Sequence, residues 1–183
     1  LPAAHKCFLK NIELNNIKDI NVAMLALSNK NGTAKFYAYK NLKMKEFVDQ
    51  LVGDGSLSST INKSTSISTF EVKTDTLDNY VSCANLNQKI DLIKIDTEAT
   101  EHLVFQGAEN ILTTHRPIIM CEIIKYQTEK ELNKIFSSHQ YEYYRIFQNG
   151  LEKTDHFIID EAKEDYYLVP AEKRNLINDL IKQ

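Results

Sequence analysis

The first fifteen positions place Phe8, Leu9 and Ile12 at i, i+1 and i+4, and this spacing predicts a helix over 2–16 that ends on Asn15-Asn16. An apolar run over 20–27 reads as a strand. Asn31-Gly32 then stands before the strand-like stretch 33–39, a pairing that predicts a hairpin because both turn residues tolerate positive φ. Met44, Phe47, Val48 and Leu51 at i, i+3, i+4 and i+7 predict a short amphipathic helix. Residues 53–69 open with Gly53-Asp54-Gly55 and continue rich in Ser and Thr, which reads as a surface loop within one domain. A strand over 70–77, a turn of helix to Val81 and a polar loop to Lys89 complete the first half.

The second half alternates regularly. A strand over 91–96 precedes a helix over 100–115, with Val104, Ala108 and Ile111 on one face and His115 and Arg116 near its negative end. Pro117 stops that helix, and 118–124 is a continuous apolar strand. Thr128 with Glu131 forms a capping-box pattern for a helix through Ser138 that carries Leu132, Ile135 and Phe136. Residues 143–148 and 151–159, joined by Asn149-Gly150, predict a second hairpin. A short strand over 166–170 and a closing helix with Leu176, Ile177, Leu180 and Ile181 follow. Strand–helix–strand–helix with apolar strands is the sequence form of parallel βαβ units, so the fold class is α/β with hairpins added at the edges.

Composition narrows the picture modestly. A net charge of −3 over 183 residues, with lysines and acids interleaved, gives no nucleic-acid footprint. No apolar stretch reaches the roughly 18 residues of a membrane span. Cys7, Cys83 and Cys121 are far apart and form no metal spacing, which predicts core thiols in a reduced, cytoplasmic protein. The histidines form no tight cluster, and no metal site is expected. The chain begins on Leu1, and the expectation is that further residues precede it.

The candidate chemistry lies in "KIDTEATE", residues 94–101. In α/β folds ligands sit beyond the carboxyl ends of the strands, and Asp96 holds that position on its strand. Glu98 and Glu101 follow it; acids there also suit a helix start, and Glu101 fits that role as well as any other. Glu122, near the end of the next apolar run, faces the same crevice if the two strands are neighbours. A lysine or water partner would explain it equally well. With only five glycines, no GxGxxG or GxxxxGK[ST] loop exists to cradle a nucleotide.

Four segments in order resemble the FkbM-type family of S-adenosylmethionine-dependent methyltransferases. They are "FLKNIELNNIKDINVAMLALSNKNGTAKFY" (8–37), "GDGSLSS" (53–59), "VKTDTLDNY" (72–80) and "IDLIKIDTEATEHLVFQGAENILTTHRPIIMCEI" (90–123). The resemblance implies a Rossmann-like class I methyltransferase domain over 1–183, with a mostly parallel sheet of about seven strands and helices on both faces. It implies methyl transfer from S-adenosylmethionine to a hydroxyl of a small molecule or glycan. Asp96 would lie beside the cofactor's methionine end, and Asp96 or Glu98 would orient the acceptor or take its proton. Ala26, Leu27 and Ser28 would lie near the adenine, with Ser56 and Glu122 toward the acceptor.

Two positions depart from the family pattern. Ala99 stands where the family has glycine; a methyl fits there with negative φ but crowds a close backbone approach. The family's glycine-rich first strand-turn would lie upstream of Leu1, so about 50–80 residues of a βαβ half are expected there. A non-catalytic methyltransferase-like binding module is the alternative reading, and a nucleotide-sugar binder a weaker third.

Overall fold

A computed structural model describes residues 2–40, 51–59, 67–84 and 88–182. Helix α1 (Pro2–Leu14) leads to the first sheet, made of β1 (Ala26–Leu27), β2 (Gly32–Lys40), β3 (Leu51–Ser56) and β4 (Ile67–Asp75) in the order β1-β4-β2-β3. Helix α2 (Leu77–Cys83) follows. The second sheet contains β5 (Leu92–Ile95), β6 (Ile118–Ile124), β7 (Tyr141–Phe147), β8 (Gly150–Thr154) and β9 (Lys163–Pro170) in the order β5-β6-β9-β7-β8. Helix α3 (Glu101–Gln106) and a π-helical turn (Ile111–His115) connect β5 to β6, and α4 (Glu129–Ser138) connects β6 to β7. A 3-10 helix (Ala171–Leu180) closes the chain.

The α/β class holds, but the described strands form two mixed sheets instead of one mostly parallel one. Only β1 with β4 and β5 with β6 run parallel. β9 inserts between β6 and β7, antiparallel to both, because the β7–β8 hairpin returns the chain to the gap beside β6. The alternation within β6 shows why this position is favourable. Ile119, Cys121 and Ile123 are fully buried, while the residues between them are half-covered. Helices α3 and α4 seal the buried face with Phe105, Leu132 and Phe136, and the Phe105 and Phe136 rings meet edge to face at 4.9 Å. The 3-10 helix covers a second cluster of Tyr144, Leu151, Val169 and Ile177.

Several sequence expectations are corrected. Of the apolar run 20–27 only Ala26–Leu27 forms a strand; Ile20 and Met24 are exposed. Asn31-Gly32 does open β2, with Gly32 at φ +148°, but β4 lies between β1 and β2, so no hairpin forms there. The amphipathic helix expected over 44–51 lies outside the described residues except for Leu51, which begins β3. The loop expected over 53–69 is taken up at both ends by β3 and β4. Gly107 interrupts the helix expected over 100–115. The Thr128 hydroxyl is buried without a partner, and Glu129 instead accepts from the Tyr126 N–H. Of the cysteines only Cys121 is a core thiol, while Cys7 and Cys83 are exposed.

The two sheets are joined through the break at Gly107. A Cβ at this position would lie 2.4 Å from the Ser28 carbonyl oxygen, immediately after β1. The Gly107 carbonyl accepts from the Asp78 N–H at 3.0 Å. The Asp78 carboxylate in turn caps the next turn, accepting from the Asn110 and Ile111 N–H groups at 2.8 and 3.0 Å. Gly107→Ala is therefore expected to lose about 2 kcal/mol or more in a urea unfolding titration. An unchanged midpoint would mean the backbones do not approach so closely.

A second tie, at the far side, is pH-sensitive. Arg116 pairs with Glu172 through Nη2–Oε2 at 2.9 Å and Nε–Oε1 at 2.5 Å, anchoring the 3-10 helix. Its hydrogen bonds hold the Glu172 carboxyl down at about 2, against the penalty of burial. A depressed carboxyl stabilises the fold above its ordinary value of 4.5 and loses that contribution as pH falls toward 2. Glu172 is half-exposed, so the expected effect is under about 1 kcal/mol. Glu172→Gln should flatten the acid limb of a stability-against-pH curve over this window; an unaltered limb would assign the acid sensitivity elsewhere.

Candidate active site

The loop that follows β5 is built on unusual backbone. Glu98 has φ +52° and Ala99 has φ +67°, two successive non-glycine residues in the left-handed region. The negative φ that would have made the Ala99 methyl harmless is absent. Side chains on three sides hold this conformation. The Ser56 hydroxyl, at the end of β3, donates to the Glu98 carbonyl at 2.6 Å, with the Thr97 carbonyl 3.1 Å away. The Thr100 hydroxyl donates to the Thr97 carbonyl at 3.1 Å. Glu101 reaches back from the first turn of α3, and its Oε1 accepts from both the Thr97 N–H and the Thr97 hydroxyl at 2.9 Å.

This loop turns carboxylates toward one point. Oxygens of Asp96, Glu98 and Glu122 all lie within 4.8 Å of one another. Glu122 joins because β5 and β6 are neighbours in register, Ile95 beside Cys121. The Lys163 ammonium, from the start of β9, donates to Glu98 Oε1 and Oε2 at 3.0 and 3.1 Å and to Glu122 Oε2 at 2.8 Å. Asp96 is less engaged: its nearest cation is Lys94, 3.6 Å away, and its side chain is 43% exposed against 16% for Glu98.

The electrostatics follow from burial and crowding. Burial pushes the Glu122 carboxyl up; Lys163 opposes this, and the charges of Asp96 and Glu98 add to it. Burial would lower the Lys163 ammonium, yet its hydrogen bonds to Glu122 and Glu98 outweigh that and hold it raised. The paired groups thus both shift upward, Glu122 because burial outweighs its lysine and Lys163 because two carboxylates outweigh its burial. Burial also pushes the Cys121 thiol well up, as expected of an inert core residue.

The residues singled out from the sequence divide into three groups. Asp96, Glu98 and Glu122 come together. β5 is less buried than its apolar run implied, with Leu92 61% exposed and only Ile95 within the core. Ser56, expected toward the acceptor, is buried and engaged in holding the loop. Ala26, Leu27 and Ser28 sit by Gly107, at the far end of α3 from the acids. Ala26 lines a cavity of about 760 Å³ whose other walls include Phe8, Met24, Phe36 and Phe70, and none of the three acids. His102 and His115 fall on separate elements, and the His115 Nδ1 accepts from the Ile90 N–H at 3.0 Å.

One participant escaped the sequence reading, and the sequence leaves the role of a second, Glu101, open. Lys163 belongs to no motif and lies far along the chain from the acids it meets. Glu101 is 1% exposed and does more than start a helix; its distance of one helical turn from Thr97 was the available signal. Its second oxygen, Oε2, is buried without a hydrogen bond.

The left-handed pair gives a stability test. Ala99→Val places a branched side chain at φ +67° and should cost about 2 kcal/mol or more. Ala99→Gly should change stability by less than about 1 kcal/mol, since relief of strain offsets the lost methyl and the added chain entropy. Equal losses in urea unfolding would contradict the left-handed geometry.

Comparison with known proteins supplies a family. Residues 2–148 match the Methyltransferase FkbM domain. Neither the curated proteins nor the solved structures yield a match. Among the described residues no helix is long and apolar enough to cross a membrane. The match spans most of the chain and includes the whole acidic loop after β5, so the protein belongs to the FkbM methyltransferase family.

Proposed function

We propose that the protein is an S-adenosylmethionine-dependent methyltransferase acting on a hydroxyl of a small molecule or glycan, with the acidic loop after β5 as its transfer site. The observation that carries this reading is the Asp96 carboxylate, half-exposed beside two acids that are tied to Lys163. A free carboxylate suits the sulfonium and α-amino charges at the methionine end of the cofactor, and the donor set therefore fits that group. A bare diphosphate would be repelled by the acid cluster.

S-adenosylmethionine would supply the electrophilic methyl group. The chain's own task is alignment and proton management. Asp96 holds the acceptor hydroxyl and takes its proton as the oxygen attacks. Glu98, fixed by its backbone and by Lys163, and Glu122, held by the same lysine, flank Asp96. Ala26, Leu27 and Ser28 receive the other end of the cofactor. The six-residue helix α3, about 9 Å long, lies between them and the acidic loop. The exposed, unpaired Cys7 and Cys83 are in keeping with a cytoplasmic location.

A second reading, a binding module that has lost transfer, draws on one observation. The Ala99 methyl is buried in the left-handed turn where the family pattern has glycine, and it narrows the approach to the loop backbone. Calorimetric titration with S-adenosylhomocysteine separates the two. The enzyme reading expects saturable binding, weakened about tenfold or more in Asp96→Ala, with the melting temperature within a few degrees of the parent. Absence of heat at millimolar ligand would sink the enzyme reading and favour the module.

A further inference from the structure

We propose that Lys163 is a positioning residue of the transfer site: its ammonium is a built-in counter-ion that locks Glu98 to Glu122 and leaves Asp96 as the free carboxylate. This rests on the reading of the acidic loop as the place of methyl transfer.

Three carboxylates within 4.8 Å repel one another, and a proton, a metal ion or a cationic side chain among them relieves that repulsion. Lys163 supplies the cation. Its contacts at 3.0, 3.1 and 2.8 Å go to three different oxygens, matching the three N–H donors of an ammonium. No donor is left for a substrate, so Lys163 acts through the acids and not on the reacting atoms. Two contacts on Glu98 fix both its oxygens, complementing the backbone that Ser56 and Glu101 hold.

Sheet register places the ammonium there. Lys163 stands opposite Ile124, two positions along from the pair Glu122 and Asp165, and so shares a face with Glu122. Asp165 adds a further acid near the same strand ends, which deepens the need for the cation. Asp96, whose one ion pair among the described residues is with the exposed Lys94 at 3.6 Å, is the member left open to a ligand. Lys163 also lies beyond residue 148, the last position of the family match, so nothing in the matched motif marks it.

The test compares the full-length chain with Lys163→Gln and Lys163→Arg. Each is titrated with Mn²⁺ while the electron spin resonance signal of the free ion is followed. Lys163→Gln leaves the acids without a counter-ion and is expected to bind Mn²⁺ about tenfold tighter or more than the parent, whereas Lys163→Arg stays near the parent. In the same proteins Lys163→Gln should weaken S-adenosylhomocysteine several-fold, and Lys163→Arg should restore most of the loss. A purely structural role would lower stability without creating the Mn²⁺ contrast.

Equal Mn²⁺ affinity in all three proteins overturns the proposal, as does a parent that binds Mn²⁺ as tightly as Lys163→Gln. If Lys163→Gln fails to fold, Glu98→Gln serves instead. The Lys163 ammonium hydrogens should then exchange with water about tenfold faster by ¹⁵N NMR, and an unchanged rate overturns the clamp. Failure of the methyl-transfer reading is visible separately. A parent that binds no S-adenosylhomocysteine but keeps the Mn²⁺ contrast retains the ion cluster and overturns its positioning role.

Discussion

The architecture turns on one short helix held at both ends by the neighbouring sheet. At the entry of α3, Ser56 from β3 donates to the carbonyls of the acidic loop. At its exit, Gly107 lies against the Ser28 carbonyl beside β1, and Asp78 caps the turn beyond. Six residues thus act as a strut between two sheets that share no strand. Its length sets the separation between the acid cluster and the residues after β1, and its docking fixes the left-handed turn at Glu98 and Ala99.

Charge organisation follows the same economy. The acids gather where two parallel strands end, and β9, antiparallel to β6, returns Lys163 to that point. Buried Arg145 is treated similarly, tied to Asp160 and Glu164 so that its charge is matched inside the sheet. Asp96 differs from these groups in being left partly to solvent.

Much of this was legible from sequence, and the failures have definite causes. The periodicity of 118–124 and the position of Asp96 after a strand depend on local spacing, and local spacing held. The second hairpin forms too, but its turn is Gln148-Asn149, Gly150 already pairs with Phe147, and the returning strand ends at Thr154 instead of running to 159. The neighbouring placement of Glu122 also followed, since consecutive strands joined by a helix tend to lie side by side. What failed was partner choice. Asn31-Gly32 carries a hairpin signal, yet β4 offered β2 a longer ladder than the two residues of β1. The Thr128 box was displaced by Glu129, one residue away, as often happens where several acids crowd a helix start. Lys163 was invisible for a different reason: an ion pair across 65 residues leaves no mark on composition or period.

The origin of Lys163 on β9 carries a consequence for how the site can be lost. Side chains alternate faces along a strand, so a one-residue slip of β9 against β6 would carry the ammonium to the far side of the sheet. The acids would remain in place, with every motif residue intact and no cation among them. An insertion or deletion in the β8–β9 connection, remote from the acidic loop, can therefore strip the acids of their cation. The electrostatic state of the cluster is in this sense a gauge of strand registration, read out at one end of the ladder.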